Sequence, residues 1–226
     1  MARSVIVTGG FGVLGQAVAQ AFAAAGDKVA RVDFAKTAHE PLDGALDIGG
    51  VDLTDAASTQ VALDTVAGAH GGVDVLVNVA GGFTWETLED GSIDAWVKMQ
   101  AMNLLTGATI TKLALPALKA SAAGRIVNIG AGAAGKAAAG MGAYTASKSG
   151  VHRLTEALSE ELSGTAVTVN AILPSTIDTP SNRADMPDAD FATWVQPSAI
   201  ADVIVFLASA QARAISGALI PVTRGG

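Results

Sequence analysis

Residues 140–150, GMGAYTASKSG, contain the only tyrosine of the chain, Tyr144, and a lysine four positions later, Lys148. Four residues of an α-helix turn through about 400° and rise about 6 Å, so both side chains face nearly the same direction. A phenol and an ammonium group can therefore meet at one site, and general acid–base catalysis uses both kinds of side chain. Chance is the alternative explanation of this spacing, so other residues must support it.

A glycine-rich segment, TGGFGVLG, lies between the first predicted strand and the first predicted helix. Gly10, Gly12 and Gly15 form the pattern G-x-G-x-x-G. This pattern permits a tight turn in which main-chain amides and the helix dipole approach a pyrophosphate. Because a strand precedes the segment and a helix follows it, dinucleotide binding is favoured over an ordinary glycine turn.

An acidic residue, Asp33, ends the second predicted strand, 18 residues after Gly15. A carboxylate at about this separation accepts hydrogen bonds from the adenosine ribose of NAD and repels the 2′-phosphate of NADP. The next residue is Phe34, which offers that phosphate no positive charge. The sequence therefore predicts NAD as the cofactor, and the nearby Lys36 keeps NADP as the less favoured alternative.

These residues need a scaffold, and the chain alternates short β-branched runs with segments of helical spacing. The alternation predicts right-handed βαβ units in one domain, a parallel sheet with helices on both faces, and ligands beyond the carboxyl ends of the strands. Strands are predicted at residues 4–8, 28–33, 74–79, 125–129, 166–172 and 218–222, with a weaker strand at 45–53. Helices are predicted at 14–25, 56–67, 93–119, 143–162 and 197–210.

The charge balance excludes several classes of partner. There are 14 basic and 21 acidic residues, a net charge of −7, and no basic run, which disfavours nucleic acids and anionic membranes.

The chain has no cysteine, and its three histidines (His39, His70, His152) are well separated, so no disulfide and no metal site are predicted. Neither a signal-peptide core nor a membrane-length apolar stretch is present, so we expect a cytoplasmic protein.

Five motifs in the order TGGFGVLG, VDL, NVAGG, MNLLTG and YTASK resemble the short-chain dehydrogenase/reductase family over most of the chain. The resemblance implies an α/β Rossmann domain, with a doubly wound seven-stranded parallel sheet, that transfers hydride between NAD(P) and a carbonyl, imine or activated double bond. It implies that Tyr144 donates and accepts the proton and that Asn103 holds a proton-relaying water. Lys148 would hold the nicotinamide ribose and lower the pKa of the phenol. Besides Tyr144 and Lys148, the implied cofactor contacts are Gly9, Phe11, Gly12, Val13, Leu14, Asp33, Asp52, Leu53, Asn78, Ala80, Gly81, Pro174, Ile177 and Thr179.

The charge of Lys148 is strong enough to lower the pKa of the Tyr144 phenol substantially. A phenol titrates near pH 10, and an opposite charge about 4 Å away contributes at most about 4 kcal/mol at an effective dielectric constant of 20. This energy corresponds to roughly three pKa units. The sequence therefore predicts that Tyr144 titrates near pH 7, where general acid–base catalysis is most effective.

One departure from the family concerns its catalytic serine, which lies thirteen residues before the tyrosine, where this chain has Ala131. Removing one donor to a developing oxyanion typically costs about 10²–10³ in rate. Either the substrate is already electrophilic or another donor substitutes. Ser175 is a candidate donor, although a solvated loop serine is the more ordinary interpretation.

One branch of the family, the dihydropteridine reductases, is similar in having alanine at this position, in NVAGGF and in IDTPSNRADMPDADFATW. The quinonoid dihydropterin that they reduce needs little polarisation, because rearomatisation draws the hydride. The resemblance leaves two substrate classes open, a quinonoid such as a dihydropterin and a carbonyl or alcohol. A catalytically weak dinucleotide-sensing regulator is a further alternative, although such proteins usually lack the tyrosine and lysine pair.

Several flanking residues are candidates for a pocket or an interface. The residues 181–194 are interpreted as a mobile cover, and His152 as a packed or interface residue. The helices at 93–119 and 143–162 resemble the pair that forms the family's dimer interface, so a homodimer or homotetramer is expected. The side chains that could line a pocket for a flat substrate, although packing is the more ordinary role of each, are Phe83, Trp85, Met141, Met186, Phe191 and Trp194.

Overall fold

Seven parallel strands form one sheet in the order β3-β2-β1-β4-β5-β6-β7 in the computed structural model, which describes residues 2–224. The predicted fold class, a doubly wound parallel sheet with helices on both faces, is confirmed. The strands are β1 Ser4–Thr8, β2 Lys28–Val32, β3 Leu46–Ile48, β4 Val75–Asn78, β5 Arg125–Ile129, β6 Thr168–Pro174 and β7 Leu219–Val222. The helices are α1 Val13–Ala24, α2 Ala56–His70, α3 Ile93–Gln100, α4 Thr106–Ala120, α5 Gly142–Glu161, α6 Pro180–Asp185 and α7 Pro197–Leu207.

The central strands are buried on both faces, as their nearly continuous apolar runs require. Every residue of β1, β4 and β5 is buried. Alternate residues belong to different cores: Val5 and Val7 pack in the cluster that contains α1 and α7, whereas Ile6 packs in the cluster that contains α2 and α4. No helix among residues 2–224 combines the length and the apolar composition that crossing a bilayer requires.

The strand order reverses between β1 and β4, and the loops after these two strands pack tightly against each other. Thr8 at the end of β1 accepts hydrogen bonds through Oγ1 from the amides of Val79, at 3.0 Å, and Ala80, at 3.1 Å. Gly9 has a φ of 61°, and a Cβ there would lie 2.9 Å from the Cα of Ala80. A ligand crevice is expected at such a reversal.

The segment predicted as one helix at 93–119 is corrected. Helices α3 and α4 are separated by a π-helical turn, Ala101–Leu105, which contains Asn103. The wider turn carries the side chain of Asn103 to Gly82 and Ser147. A π turn of five residues is too short for the pattern of apolar residues to distinguish it from a continuous α-helix.

Several predicted segments have different bounds, and the proposed cover contains elements that were not predicted. The strand at 45–53 covers only Leu46–Ile48, and α7 ends at Leu207. The proposed cover contains the short helix α6 and a 3₁₀ turn, Phe191–Thr193. Its mobility stays a prediction.

The first glycine turn yields a test with a matched control. A Cβ at Gly15 would lie 2.1 Å from the carbonyl oxygen of Gly9, whereas at Gly12 the nearest atom would be that same oxygen at 3.5 Å. We expect Gly15→Ala to lower the free energy of unfolding by about 1–3 kcal/mol because α1 must move away from the turn. Gly12→Ala should change it by less than about 0.5 kcal/mol.

Urea denaturation followed by circular dichroism measures both variants. Equal losses in the two variants would contradict the close contact between α1 and the turn.

Candidate active site

Lys148 lies in α5 against the carboxyl end of β5. Its side chain is only 5% exposed, and its ammonium donates a hydrogen bond of 2.8 Å to the carbonyl oxygen of Ile129. Gly81 borders this group, since a Cβ there would lie 3.4 Å from Nζ. Burial lowers the pKa of Lys148 to about 8, because the ammonium loses its hydration.

Tyr144 lies one helical turn before Lys148, at the start of α5. Its ring meets the ring of Phe83 edge to face, with centroids 4.9 Å apart and planes at 79°. Burial raises the pKa of Tyr144 to about 12. The prediction that Lys148 brings this pKa near 7 is therefore corrected for the protein alone, because desolvation of the phenolate is the dominant influence and the ammonium is directed to a main-chain carbonyl.

Asn103 connects three parts of the site through its buried amide. Its Oδ1 accepts from the amide of Gly82 at 2.8 Å, and its Nδ2 donates to the carbonyl of Gly82 at 3.1 Å. The same Nδ2 donates to Ser147 Oγ at 2.9 Å, and that hydroxyl donates to the carbonyl of Tyr144 at 2.7 Å. The loop after β4, the π turn and α5 are thereby fixed to one another, and Ser147 is a contributor that the sequence analysis missed.

Asp33 joins the end of β2 to the glycine turn. One carboxylate oxygen accepts from the amide of Phe11 at 2.9 Å and the other from the amide of Ala35 at 2.9 Å. The ring of Phe11 lies 5.4 Å from the guanidinium of Arg31, which is fully buried and pairs with Asp47 at 2.6 Å. The carboxylate is thus held beside the turn, and the adjacent Phe34 is 75% exposed.

Two more of the predicted cofactor residues lie after β3. Asp52 accepts from the amide of Thr54 at 2.8 Å and from its hydroxyl at 2.6 Å, and these bonds lower the pKa of Asp52. Leu53 is buried in the core cluster against which Ala80 packs. Leu53 and Ala80, two residues predicted to contact the cofactor, therefore border the same core.

Asn78 forms a buried polar network at the end of β4. Its Nδ2 donates to Thr111 Oγ1 at 3.0 Å and to Asn128 Oδ1 at 2.8 Å, and Asn128 donates to Thr155 Oγ1 at 2.9 Å. The network joins β4 and β5 to α4 and α5. The amide nitrogen of Asn78 therefore braces the sheet, and its contact with a cofactor stays a prediction.

The loop after β6 holds the remaining predicted cofactor residues. Pro174 ends the strand, and Ile177 forms an isolated parallel bridge with Val195. Thr179 caps α6 by accepting from the amide of Asn182 at 3.2 Å. The exposed Ser175 lies beside Pro174, and its assignment as a substitute donor stays a prediction.

A short chain of contacts fastens the segment that follows this loop. Arg183 of α6 pairs with Asp178 at 2.6 Å, and the pairing lowers the pKa of Asp178 to about 2. The guanidinium of Arg183 also lies 4.8 Å from the centre of the Phe191 ring. Above about pH 4, Asp178 is therefore ionised and the pair is intact.

The candidate pocket residues occupy different environments. Phe83 contacts Tyr144, and Trp85 packs on Gly140, where a Cβ would lie 2.1 Å from the indole. Trp194 is only 6% exposed and packs against Phe191, so it is a core residue more than a pocket wall. Met141 precedes α5 as its N-cap residue, and Met186 is partly exposed after α6.

Ala131 occupies the position where the family has its serine. The residue is 4% exposed, and its amide donates to Nε2 of His152 at 3.3 Å. His152 is therefore packed inside the protein, one turn after Lys148. The sequence gives one signal for this neighbourhood, because residues 144, 148 and 152 follow each other at four-residue intervals on one helix face.

The site has the features that a nicotinamide dinucleotide requires. Gly12 precedes α1 without a side chain, so no side chain of that residue covers the first amides of the helix. Gly81 faces Asn103 and Lys148, and a Cβ there would lie 2.6 Å from Asn103 Oδ1. Together with Asp33 at the end of β2, these features fit the phosphate, nicotinamide and ribose parts of such a cofactor.

Comparison with known proteins matches residues 3–190 to the family model described as short chain dehydrogenase. A D-threitol dehydrogenase of Mycolicibacterium smegmatis is 33% identical over 97% of this chain and 91% of the relative. The ligand-free aldohexose dehydrogenase of Thermoplasma acidophilum has a TM-score of 0.90 at 26% identity, over 99% of this chain and 93% of its own. The 3-ketoacyl-(acyl-carrier-protein) reductase of Brucella melitensis, complexed with NADH, has a TM-score of 0.87 at 26% identity, over 97% of this chain and 96% of its own.

Because Tyr144 is the only tyrosine, its pKa can be measured without overlapping signals from other phenols. We expect the phenol of the protein alone to titrate above pH 10, toward about 12, because burial disfavours the phenolate. Absorbance near 295 nm, recorded against pH alongside circular dichroism, reports the phenolate while the fold is intact. A transition near pH 7 would instead restore the role of Lys148 in lowering this pKa.

Proposed function

The chain belongs to the short chain dehydrogenase family, and we propose that it transfers hydride from NADH to a quinonoid, dihydropteridine-like substrate, or to a carbonyl as the alternative. Tyr144, Lys148 and Asn103 would carry the proton chemistry. The proposal rests on one observation above all. A partly buried phenol and a buried ammonium lie one turn apart on α5, beside the loop of Gly81.

Tyr144 suits the donation of a proton to a substrate that is being reduced. With its pKa raised to about 12, the phenol carries its proton at neutral pH, and a pKa nearer 7 in the loaded site would make it the more effective general acid. Reduction of a carbonyl or a quinonoid system needs one hydride and one proton. A bound nicotinamide dinucleotide would supply the hydride, and Tyr144 would supply the proton through its phenolic oxygen.

Lys148 and Asn103 would support this transfer in different ways. With its pKa lowered to about 8, Lys148 can gain or lose a proton near the operating pH, and its ammonium would stabilise the phenolate left after proton transfer. The side chain of Asn103 is occupied by Gly82 and Ser147. We therefore infer that Asn103 holds a relay water through its main chain, while its amide keeps the loop of Gly81 and Gly82 in position.

We propose NAD in preference to NADP. The carboxylate of Asp33 is directed to the glycine turn by the amide of Phe11, where it would accept from ribose hydroxyls and repel a 2′-phosphate. Phe34 contributes no compensating charge. The NADH-bound relative from Brucella melitensis supports a nicotinamide dinucleotide in general.

Ala131 favours a substrate that needs little polarisation. This position offers no hydroxyl, and removing an oxyanion donor typically costs about 10²–10³ in rate for a substrate that needs it. The edge-to-face contact of Phe83 with Tyr144 also provides an apolar ring beside the proton donor, which suits a flat substrate. The names of the threitol and aldohexose dehydrogenases favour the alternative, an alcohol or carbonyl.

A homodimer or homotetramer is part of this proposal. Ile93 and Val97 of α3 are 67% and 63% exposed, and Leu105 at the end of the π turn is 51% exposed. Exposed apolar side chains on one helical segment are typical of a protein interface. This face lies in the segment 93–119, which resembles one of the two helices of the family's dimer interface. The cytoplasmic location is a separate matter and stays a prediction.

A substrate panel tests the proposal. Absorbance of NADH or NADPH at 340 nm is followed with quinonoid dihydropterin, an o-quinone, a diketone and a simple ketone. We expect oxidation of NADH by the quinonoid acceptors at rates at least tenfold above those for the ketone and for NADPH. Tyr144→Phe should lose at least about 10²-fold in kcat, because the proton donor is removed.

The variant Ala131→Ser distinguishes between the two candidate substrate classes. It should raise the rate with the simple ketone more than the rate with the quinonoid acceptor, because only the ketone needs the added donor. Binding of NADH without turnover of any acceptor, or turnover unchanged in Tyr144→Phe, would favour the dinucleotide-sensing alternative instead.

A further inference from the structure

Helix α5 forms three hydrogen bonds with the end of β5 and the chain that follows it. Lys148 donates to the carbonyl of Ile129 at 2.8 Å, and Ser149 Oγ donates to the carbonyl of Ala134 at 3.1 Å. His152 accepts from the amide of Ala131 at 3.3 Å. Of these three side chains, only Lys148 has a role in the proposed proton transfer. The buried imidazole of His152 therefore needs its own explanation.

The neighbourhood of His152 is built around its imidazole. A Cβ at Gly130 would lie 2.5 Å from Nε2 of His152 and 2.5 Å from a methyl carbon of Leu173. Glycine at this position therefore lets the ring approach the main chain. His152 is 6% exposed, so its contact with the amide of Ala131 is shielded from water.

The direction of the hydrogen bond determines the tautomer of His152. The main-chain amide of Ala131 can only donate, so Nε2 must carry a lone pair and the proton must be on Nδ1. A protonated imidazole would place two N–H groups opposite each other and lose this contact. The neutral ring is therefore the form that holds Ala131.

We propose that His152 is a positioning residue of the active site: as a neutral acceptor, it fixes the main chain at Gly130 and Ala131, where the substrate is to be bound. This inference rests on the proposed function for the location of the substrate. Because Ala131 has no hydroxyl, the conformation of its main chain is what this position contributes to the site. His152 sets that conformation without touching the substrate.

Charges near His152 come from its own helix. Burial lowers its pKa most, Arg153 and Lys148 lower it further, and Glu156 raises it. Across from this helix, the main chain of Gly130, just after β5, lies against the ring, and the apolar Leu173 of β6 packs beside Gly130. With a pKa below the ordinary value near 6.5, the ring is neutral at neutral pH.

The pH dependence follows from this direction. A histidine with a lowered pKa in the folded state adds stability above its unfolded pKa, near 6.5, and that contribution is lost as the pH falls toward the folded value. The hold on Ala131 should therefore be complete at pH 7–8 and weaken below about pH 6.5. Activity should have an acid limb that depends on residue 152.

The test compares His152→Gln, whose side-chain oxygen can replace Nε2 as an acceptor without titrating, with His152→Leu, which cannot accept. His70→Gln is the control, because His70 is partly buried at the end of α2 and contacts Ser4 Oγ at 3.1 Å, far from the carboxyl ends of the strands. With NADH and an o-quinone, His152→Leu should lower kcat about tenfold at pH 7.5, with less than a twofold change in the KM for NADH. His152→Gln should retain most of kcat and lose the acid limb, and His70→Gln should leave both unchanged.

Two measurements without turnover keep this test separate from that of the proposed function. Nitrogen-15 spectra of the imidazoles, assigned with His152→Gln, should show a neutral Nδ1–H ring at pH 7–8. Exchange of the Ala131 amide with deuterium should be at least about tenfold faster in His152→Leu than in wild type and His152→Gln. An Nε2–H tautomer, equal exchange in all three proteins, or the same acid limb in wild type and His152→Gln would overturn the proposal.

Discussion

The burial of the Lys148 ammonium is the constraint on which the rest of the site depends. Removing an ammonium from water costs several kcal/mol unless hydrogen bonds replace its hydration. In the part of the chain that the structure describes, the carbonyl of Ile129, at the end of β5, accepts a hydrogen bond that replaces this hydration. The end of β5, the start of α5 and the glycine loop after β4 must therefore keep their mutual positions, and Asn103 and Ser147 maintain them.

The same burial acts on Tyr144 and Lys148 in opposite directions. It raises the pKa of the phenol to about 12 and lowers that of the amine to about 8, so it disfavours the charged form of each. The phenol thereby becomes a stable proton donor, and the amine becomes the group that titrates near neutral pH. Under the proposed function, such a site would supply the proton of a reduction and would not need a hydroxyl at Ala131.

Local rules predicted much of this architecture, because parallel strands, glycine turns and a four-residue helical interval have direct sequence patterns. The positions of Asp33 and Tyr144 follow from them. The π turn at Asn103 was not predictable, because a single wider turn of five residues is too short to be distinguished from a continuous α-helix by its apolar pattern. Helix α6 is six residues long, too short for a periodic signal. The pKa of Tyr144 and the contact of His152 with Ala131 depend on burial between distant segments, which residue spacing does not report.

Desolvation of Lys148 is tested most directly by the stability of wild type and Lys148→Met, measured by urea denaturation from pH 7 to 11. Between the folded pKa of about 8 and the unfolded value of 10.5, the unfolded state binds more protons, so wild type gains stability as the pH rises. We expect it to gain about 3 kcal/mol relative to Lys148→Met across this interval. A difference between the two proteins that stays constant from pH 7 to 10 would contradict the account, because Lys148 would then keep its ordinary pKa.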